Sequence, residues 1–186
     1  SVEEIVEEVR AAVVWACRLA RERGSRSVVV AGWSAGAQLI TQVLTSPTTE
    51  GTTKENDVTS YTDMIRGVVT LSGIFDLRPL LTTYINQPLH LTESTAWQLS
   101  PLVSVGVLGR TWPGLQVLVA VGQYDPPEFK RQSAEFYREC VWWGVKAEFL
   151  EVEFADHFNI VEDLSEKDFS LTRRLLAFIK DCDHGQ

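Results

Sequence analysis

The chain has 186 residues, 45% of them hydrophobic and 23% charged, with 17 Lys and Arg against 25 Asp and Glu for a net charge of −8. These proportions suit one globular domain and exclude disordered, collagen-like and disulfide-scaffold classes. The acid excess, without any Lys/Arg cluster, argues against nucleic-acid binding, and no apolar run approaches the roughly 20 residues that span a bilayer. The acidic start is not a secretion signal. Cys17, Cys140 and Cys182 are odd in number and widely spaced, which suits a reducing compartment and offers no metal-ligand pairing. Because the chain opens at Ser1 and its single Met is Met64, an upstream segment is expected.

Residues 1–23 read as an amphipathic helix, with Val2, Ile5, Val6, Val9, Val13, Cys17 and Ala20 recurring at spacings of three and four. Ser1 and Glu4 have capping-box spacing, and Gly24 supplies a stop. The β-branched run at 27–31 predicts a strand, followed through Gly32 by a helix over 35–44. Residues 45–63, rich in Thr, Ser, Glu and Asn, read as a solvated loop. Apolar runs at 66–71 and 115–121 and the alternation at 147–153 predict three more strands. Helical periodicity occupies 127–142 and 168–180. Trp15 falls on the polar side of the first helix, and Trp142 and Trp143 read as packing residues at the end of a later one.

Strands alternating with helices predict an α/β fold: about four parallel strands flanked by helices in a single domain covering 1–186. Residues 74–113 break the rhythm with four prolines yet carry Leu, Tyr and Trp. A structureless loop of that length is uncommon in a compact domain, so short helices forming a cap or substrate wall are expected there. Tyr84 and Trp97 are candidate pocket residues within it.

Gly32-Trp33-Ser34-Ala35-Gly36 matches G-x-S-x-G between a predicted strand and a predicted helix, the setting of a nucleophile elbow. Chance would supply about 0.05 such matches in a chain of this composition. A tight strand-to-helix turn projects the serine hydroxyl, and Gly32 and Gly36 are expected to relieve crowding on either side. The helix starting at Ala35 aims its free N–H groups and positive dipole end at a reacting carbonyl, so the Ala35 N–H is the candidate oxyanion donor.

A serine hydroxyl needs a base, and the base needs an orienting group. Of three histidines, His184 lies near the C-terminus and His90 in the irregular segment. His157 follows a predicted strand at the carboxyl end, where parallel sheets place their chemistry. Asp125 holds the corresponding place after strand 115–121, giving the order Ser34, Asp125, His157. That is the chain order of α/β-hydrolases. Asp76, after strand 66–71, competes for the acid role. Asp156 is a poorer choice, because adjacent residues on an extended loop point apart. The bland readings are a capping serine, a turn aspartate and a helix-start histidine.

With those residues placed, three segments resemble the kynurenine formamidase (arylformamidase) family. They are Leu71-Ser72-Gly73-Ile74-Phe75-Asp76-Leu77-Arg78-Pro79, then Val121-Gly122-Gln123-Tyr124-Asp125-Pro126-Pro127-Glu128-Phe129 with Arg131-Gln132-Ser133, and Asp156-His157-Phe158-Asn159-Ile160-Val161. The resemblance runs from the first helix to the last. It implies an α/β-hydrolase of the hormone-sensitive-lipase-like branch that cleaves the small aryl formamide N-formyl-L-kynurenine to kynurenine and formate. It further implies tryptophan breakdown in the cytoplasm, no metal or other cofactor, and Asp125 as the acid. Trp33 stands where related enzymes commonly have His. The family's upstream His-Gly-Gly loop, which donates oxyanion N–H groups, is not in these residues, so this chain alone is expected to be severely impaired. In the resembling fold a further strand flanks 27–31; without it an apolar edge is exposed, predicting poor solubility or pairing with another copy. A carboxylesterase acting on small acyl esters and a non-enzymatic interaction module are the alternatives.

Overall fold

The computed structural model describes residues 1–46 and 57–184; most of the expected 45–63 loop lies outside them. Helix α1, Val2–Glu22, starts on a full capping box between Ser1 and Glu4 and ends before Gly24, whose φ of 77° is a conformation glycine adopts without a Cβ penalty. Strand β1, Val28–Trp33, leads directly into α2, Ala35–Thr45. Past the undescribed residues, a short 3-10 turn at Val58–Tyr61 buries both its end residues, so this end of the expected loop is packed rather than solvated. Strand β2 is Ile65–Leu71.

The segment after β2 folds as a string of short helical pieces, as its composition predicts. These are a 3-10 turn at Arg78–Thr82, α3 at Asn86–Leu89, α4 at Glu93–Gln98, a second 3-10 turn at Pro101–Ser104 and α5 at Gly106–Thr111. Leu77, Leu91, Ala96 and Leu99 form a small apolar cluster with Val2 at the head of α1. Strand β3, Gln116–Gly122, α6, Pro127–Trp142, and β4, Lys146–Val152, follow with the predicted bounds to within a residue. The short α7, Asn159–Glu162, precedes α8, which runs over Ser170–His184 and so beyond the predicted stop at 180.

All four strands are parallel in the order β1-β2-β3-β4. Side chains alternate across the sheet, as the period of two requires. Val68, Val117 and Val119 join α1, α2 and α6 in the larger core, whereas Val69, Leu118 and Ala120 face α8 with Leu171 and Phe178. The central strands are buried on both faces, hence their largely apolar sequences.

The two outer strands differ. At β4 the outward positions carry Lys146, Glu148 and Glu151; Glu148 pairs with Arg174, and Glu151 with Lys130 at 3.0 Å. Among the described residues β1 pairs in the sheet only with β2, and its Val28-Val29-Val30-Ala31 run is half-buried to exposed with no charge.

One tryptophan departs from expectation. Trp142 is 80% exposed rather than packed, while Trp143 lies against Gly106 with the Arg110 guanidinium over its ring. Trp15 is 62% exposed, in keeping with its place on the polar side of α1.

Candidate active site

Ser34 links β1 to α2 at φ 55° and ψ −119°, a region that non-glycine residues rarely enter. Its N–H donates to the Leu71 carbonyl at the end of β2 (2.9 Å), which pins the turn to the neighbouring strand. The two flanking glycines have different reasons. A Cβ on Gly32 would lie 2.4 Å from the Gly36 carbonyl oxygen, so the turn closes only without a side chain there. A Cβ on Gly36 meets nothing within 4 Å, which corrects the expectation that both glycines relieve crowding.

His157 lies in the turn after β4. Asp156 shapes that turn: its Oδ1 accepts the N–H groups of Phe158 (2.8 Å) and Asn159 (2.9 Å), and its own N–H donates to Asn159 Oδ1 (2.6 Å). This local work keeps the Asp156 carboxyl below the usual carboxylate range, chiefly through the Asn159 and Phe158 N–H groups. From this loop His157 Nε2 reaches to 3.0 Å from Ser34 Oγ, and Nδ1 to 2.7 Å from Asp125 Oδ1.

Asp125 follows β3 and is buried, its side chain wholly inaccessible. A buried carboxylate requires several donors. Its Oδ2 accepts the Gly122 N–H at 2.7 Å and the Ser72 hydroxyl at 2.5 Å, leaving Oδ1 for the imidazole. Gly122 must be glycine, because a Cβ would fall 2.6 Å from the Ala155 carbonyl oxygen. The competing Asp76 is engaged elsewhere: Arg78 grips it through Nε (2.9 Å) and an Nη (2.7 Å), and that bond holds its carboxyl below the usual range. Three side chains from the ends of β1, β3 and β4 thus form one hydrogen-bonded line. That line can pass a proton from a hydroxyl to an imidazole whose far nitrogen is fixed by a carboxylate.

No protein-family profile matches the chain. A kynurenine formamidase from Danio rerio is 39% identical over 150 residues, 80% of this chain and 48% of that protein; one from Salmo salar is 38% identical over 149 residues with the same coverage. The chain is a homologue of kynurenine formamidases. It spans about half the length of the curated relatives it matches. Among solved structures, a butyrate-bound esterase from Thermogutta terrifontis overlays with a TM-score of 0.65 at 18% identity, covering 94% of this chain and 65% of its own. The fold is that of the α/β-hydrolases.

This formamidase homologue surrounds its serine with features that local sequence patterns do not reveal. The Trp33 indole N–H donates to the His157 carbonyl (2.8 Å), tying the elbow to a loop 124 residues away. Gln132, buried on α6, accepts the N–H groups of Phe75 (2.7 Å) and Asp76 (2.8 Å) and so fixes the loop after β2. The tail of the family-like 121–133 segment contained Gln132, but nothing in its spacing pointed to that loop. Beside Ala35, a cavity of ≈ 170 Å³ is lined by Val2, Ile5, Leu39, Ile74 and Leu77 among other apolar side chains. Neither aromatic candidate from 74–113 lines it. Trp97 lies beneath the Arg78 guanidinium, 4.6 Å from its ring centre, and Tyr84 is 79% exposed.

Proposed function

We propose that this chain carries the nucleophile, acid and base of a serine hydrolase that cleaves aryl formamides, with N-formyl-L-kynurenine as the substrate and kynurenine and formate as products. The observation that carries the reading is the line Ser34 Oγ, His157, Asp125, at 3.0 and 2.7 Å, on a strained elbow in a homologue of kynurenine formamidases. His157 Nε2 takes the Ser34 proton as Oγ attacks the formyl carbon, and Asp125 steadies the imidazolium through Nδ1–H. The tetrahedral oxyanion meets the Ala35 N–H at the head of α2. His157 then delivers its proton to the departing aryl amine, and water releases formate from Ser34 by the same steps in reverse.

The family resemblance assigns further oxyanion donors to a His-Gly-Gly loop outside these residues, and loss of one such donor costs about 10²–10³ in rate. On this reading 74–113 forms a wall of the site, since Ile74, Leu77, Leu80, Ile85 and Leu89 all border the cavity beside Ala35. Three free, buried cysteines support a reducing, cytoplasmic setting, and the kynurenine formamidase relatives support a place in tryptophan breakdown for the whole protein.

A second reading, an ester hydrolase, is favoured by the same cavity. A formyl group leaves it empty, whereas a short acyl chain would occupy it, and the overlaid Thermogutta esterase holds butyrate. Fluorophosphonate labelling tests the common core: Ser34 takes up label, and Ser34→Ala and Asp125→Asn abolish it. An unlabelled Ser34, even with the upstream family segment supplied, overturns both readings. Turnover of N-formyl-L-kynurenine against short acyl esters then decides between them.

A further inference from the structure

In formamide cleavage the atom that receives the proton from His157 Nε2 is the leaving nitrogen, which must come within about 3 Å of it. An aryl ring on that nitrogen starts one bond further out, so it lands on whatever surface borders the imidazole. Phe129, half-buried on α6, covers one side, with ring centres 4.5 Å apart. Two other rings border it and remain open: Trp33 at 5.4 Å, 37% exposed, and Phe158 at 5.6 Å, 61% exposed.

These two rings also meet each other edge to face, 6.1 Å apart at 66°. Neither is covered, and the indole ring of Trp33 and the backbone that carries Phe158 are both tied down. The indole N–H is committed to the His157 carbonyl at 2.8 Å, and the Phe158 N–H to Asp156 Oδ1 at 2.8 Å. Exposed aromatic surface beside the imidazole is costly to display in water and is what a planar apolar group binds best.

We infer that Trp33 and Phe158 form the subsite for an arylamine leaving group and select aromatic over saturated rings. The inference rests on the hydrolase reading for its orientation, but its test does not require turnover. The whole chain, isotope-labelled, is titrated with 2-aminoacetophenone, an arylamine, and in parallel with cyclohexyl methyl ketone. The expected result is that the Trp33 indole N–H and Phe158 amide resonances shift with the first and not with the second. Trp33→Leu and Phe158→Leu each weaken binding of the arylamine about two- to tenfold. Phe158→Leu, at a largely exposed position, serves if Trp33→Leu does not fold. Equal shifts with both ketones, no shift at either residue, or unchanged affinity in Phe158→Leu overturns the subsite. Failure of the hydrolase reading is distinguishable, because Ser34 would then remain unlabelled by fluorophosphonate while arylamine binding persisted.

Discussion

The residues that precede α1 and α2 are both serines, and the two serines do opposite things. Ser1 accepts the Glu4 N–H, Glu4 reaches back to Ser1, and α1 has its first turn satisfied by its own sequence. Ser34 occupies the same position before α2 but makes no cap bond; its backbone sits at φ 55° and its hydroxyl turns away to His157. The first serine serves its helix. The second forgoes that stabilisation and leaves the N–H groups of α2 for something else to use. A capping residue that does not cap, held in a strained conformation by the neighbouring strand, is a mark of a reactive site.

Replacing the two serines and their neighbours separates these roles. The largest expected effect is at Ser34: Ser34→Gly lowers fluorophosphonate reactivity by about 10⁴ or more, yet raises stability by about 1 kcal/mol because glycine accepts the left-handed backbone freely. A fall in melting temperature would show that the elbow is not strained. Next, Gly32→Ala drives a Cβ into the Gly36 carbonyl and should cost on the order of 3 kcal/mol, read by urea titration. Ser1→Ala removes a cap and should lower Tm by a few degrees while leaving the labelling rate at Ser34 unchanged. The smallest effect belongs to Gly36→Ala, which enters open space in the first turn of α2 and should be neutral or stabilising by up to about 1 kcal/mol. A large loss there would contradict the asymmetry between the two elbow glycines.

Much of the fold was legible because its determinants are local. The bounds of α6, the capping box of α1 and the strand-turn-helix around Ser34 follow from period, caps and glycine spacing. Asp125 and Asp76 were ambiguous by position alone, since both follow strands. The arginine two residues after Asp76 was visible in the sequence, but only the folded loop shows it gripping that carboxylate. What was missed is non-local. The Ser72 hydroxyl on Asp125 bridges 53 residues and the Trp33 indole on His157 bridges 124, and no periodicity encodes such pairs. Gln132 escaped notice for a related reason: a buried polar residue on the inner face of α6 reads as a flaw in the apolar stripe until its loop partners are seen. The motif asks for glycine at both Gly32 and Gly36, but it fixes residue types and not the separate reason for each, and only Gly32 meets a steric bar.

The two outer strands carry a consequence for how copies of this chain can meet. Charges along β4, two of them paired, make that side repellent to another strand, whereas the Val28–Ala31 run of β1 carries no charge, is half-buried to exposed and, among the described residues, pairs only with β2. Strand addition is therefore directed to β1 and not to β4, whether the added strand is the one the family resemblance implies beside 27–31 or another chain's.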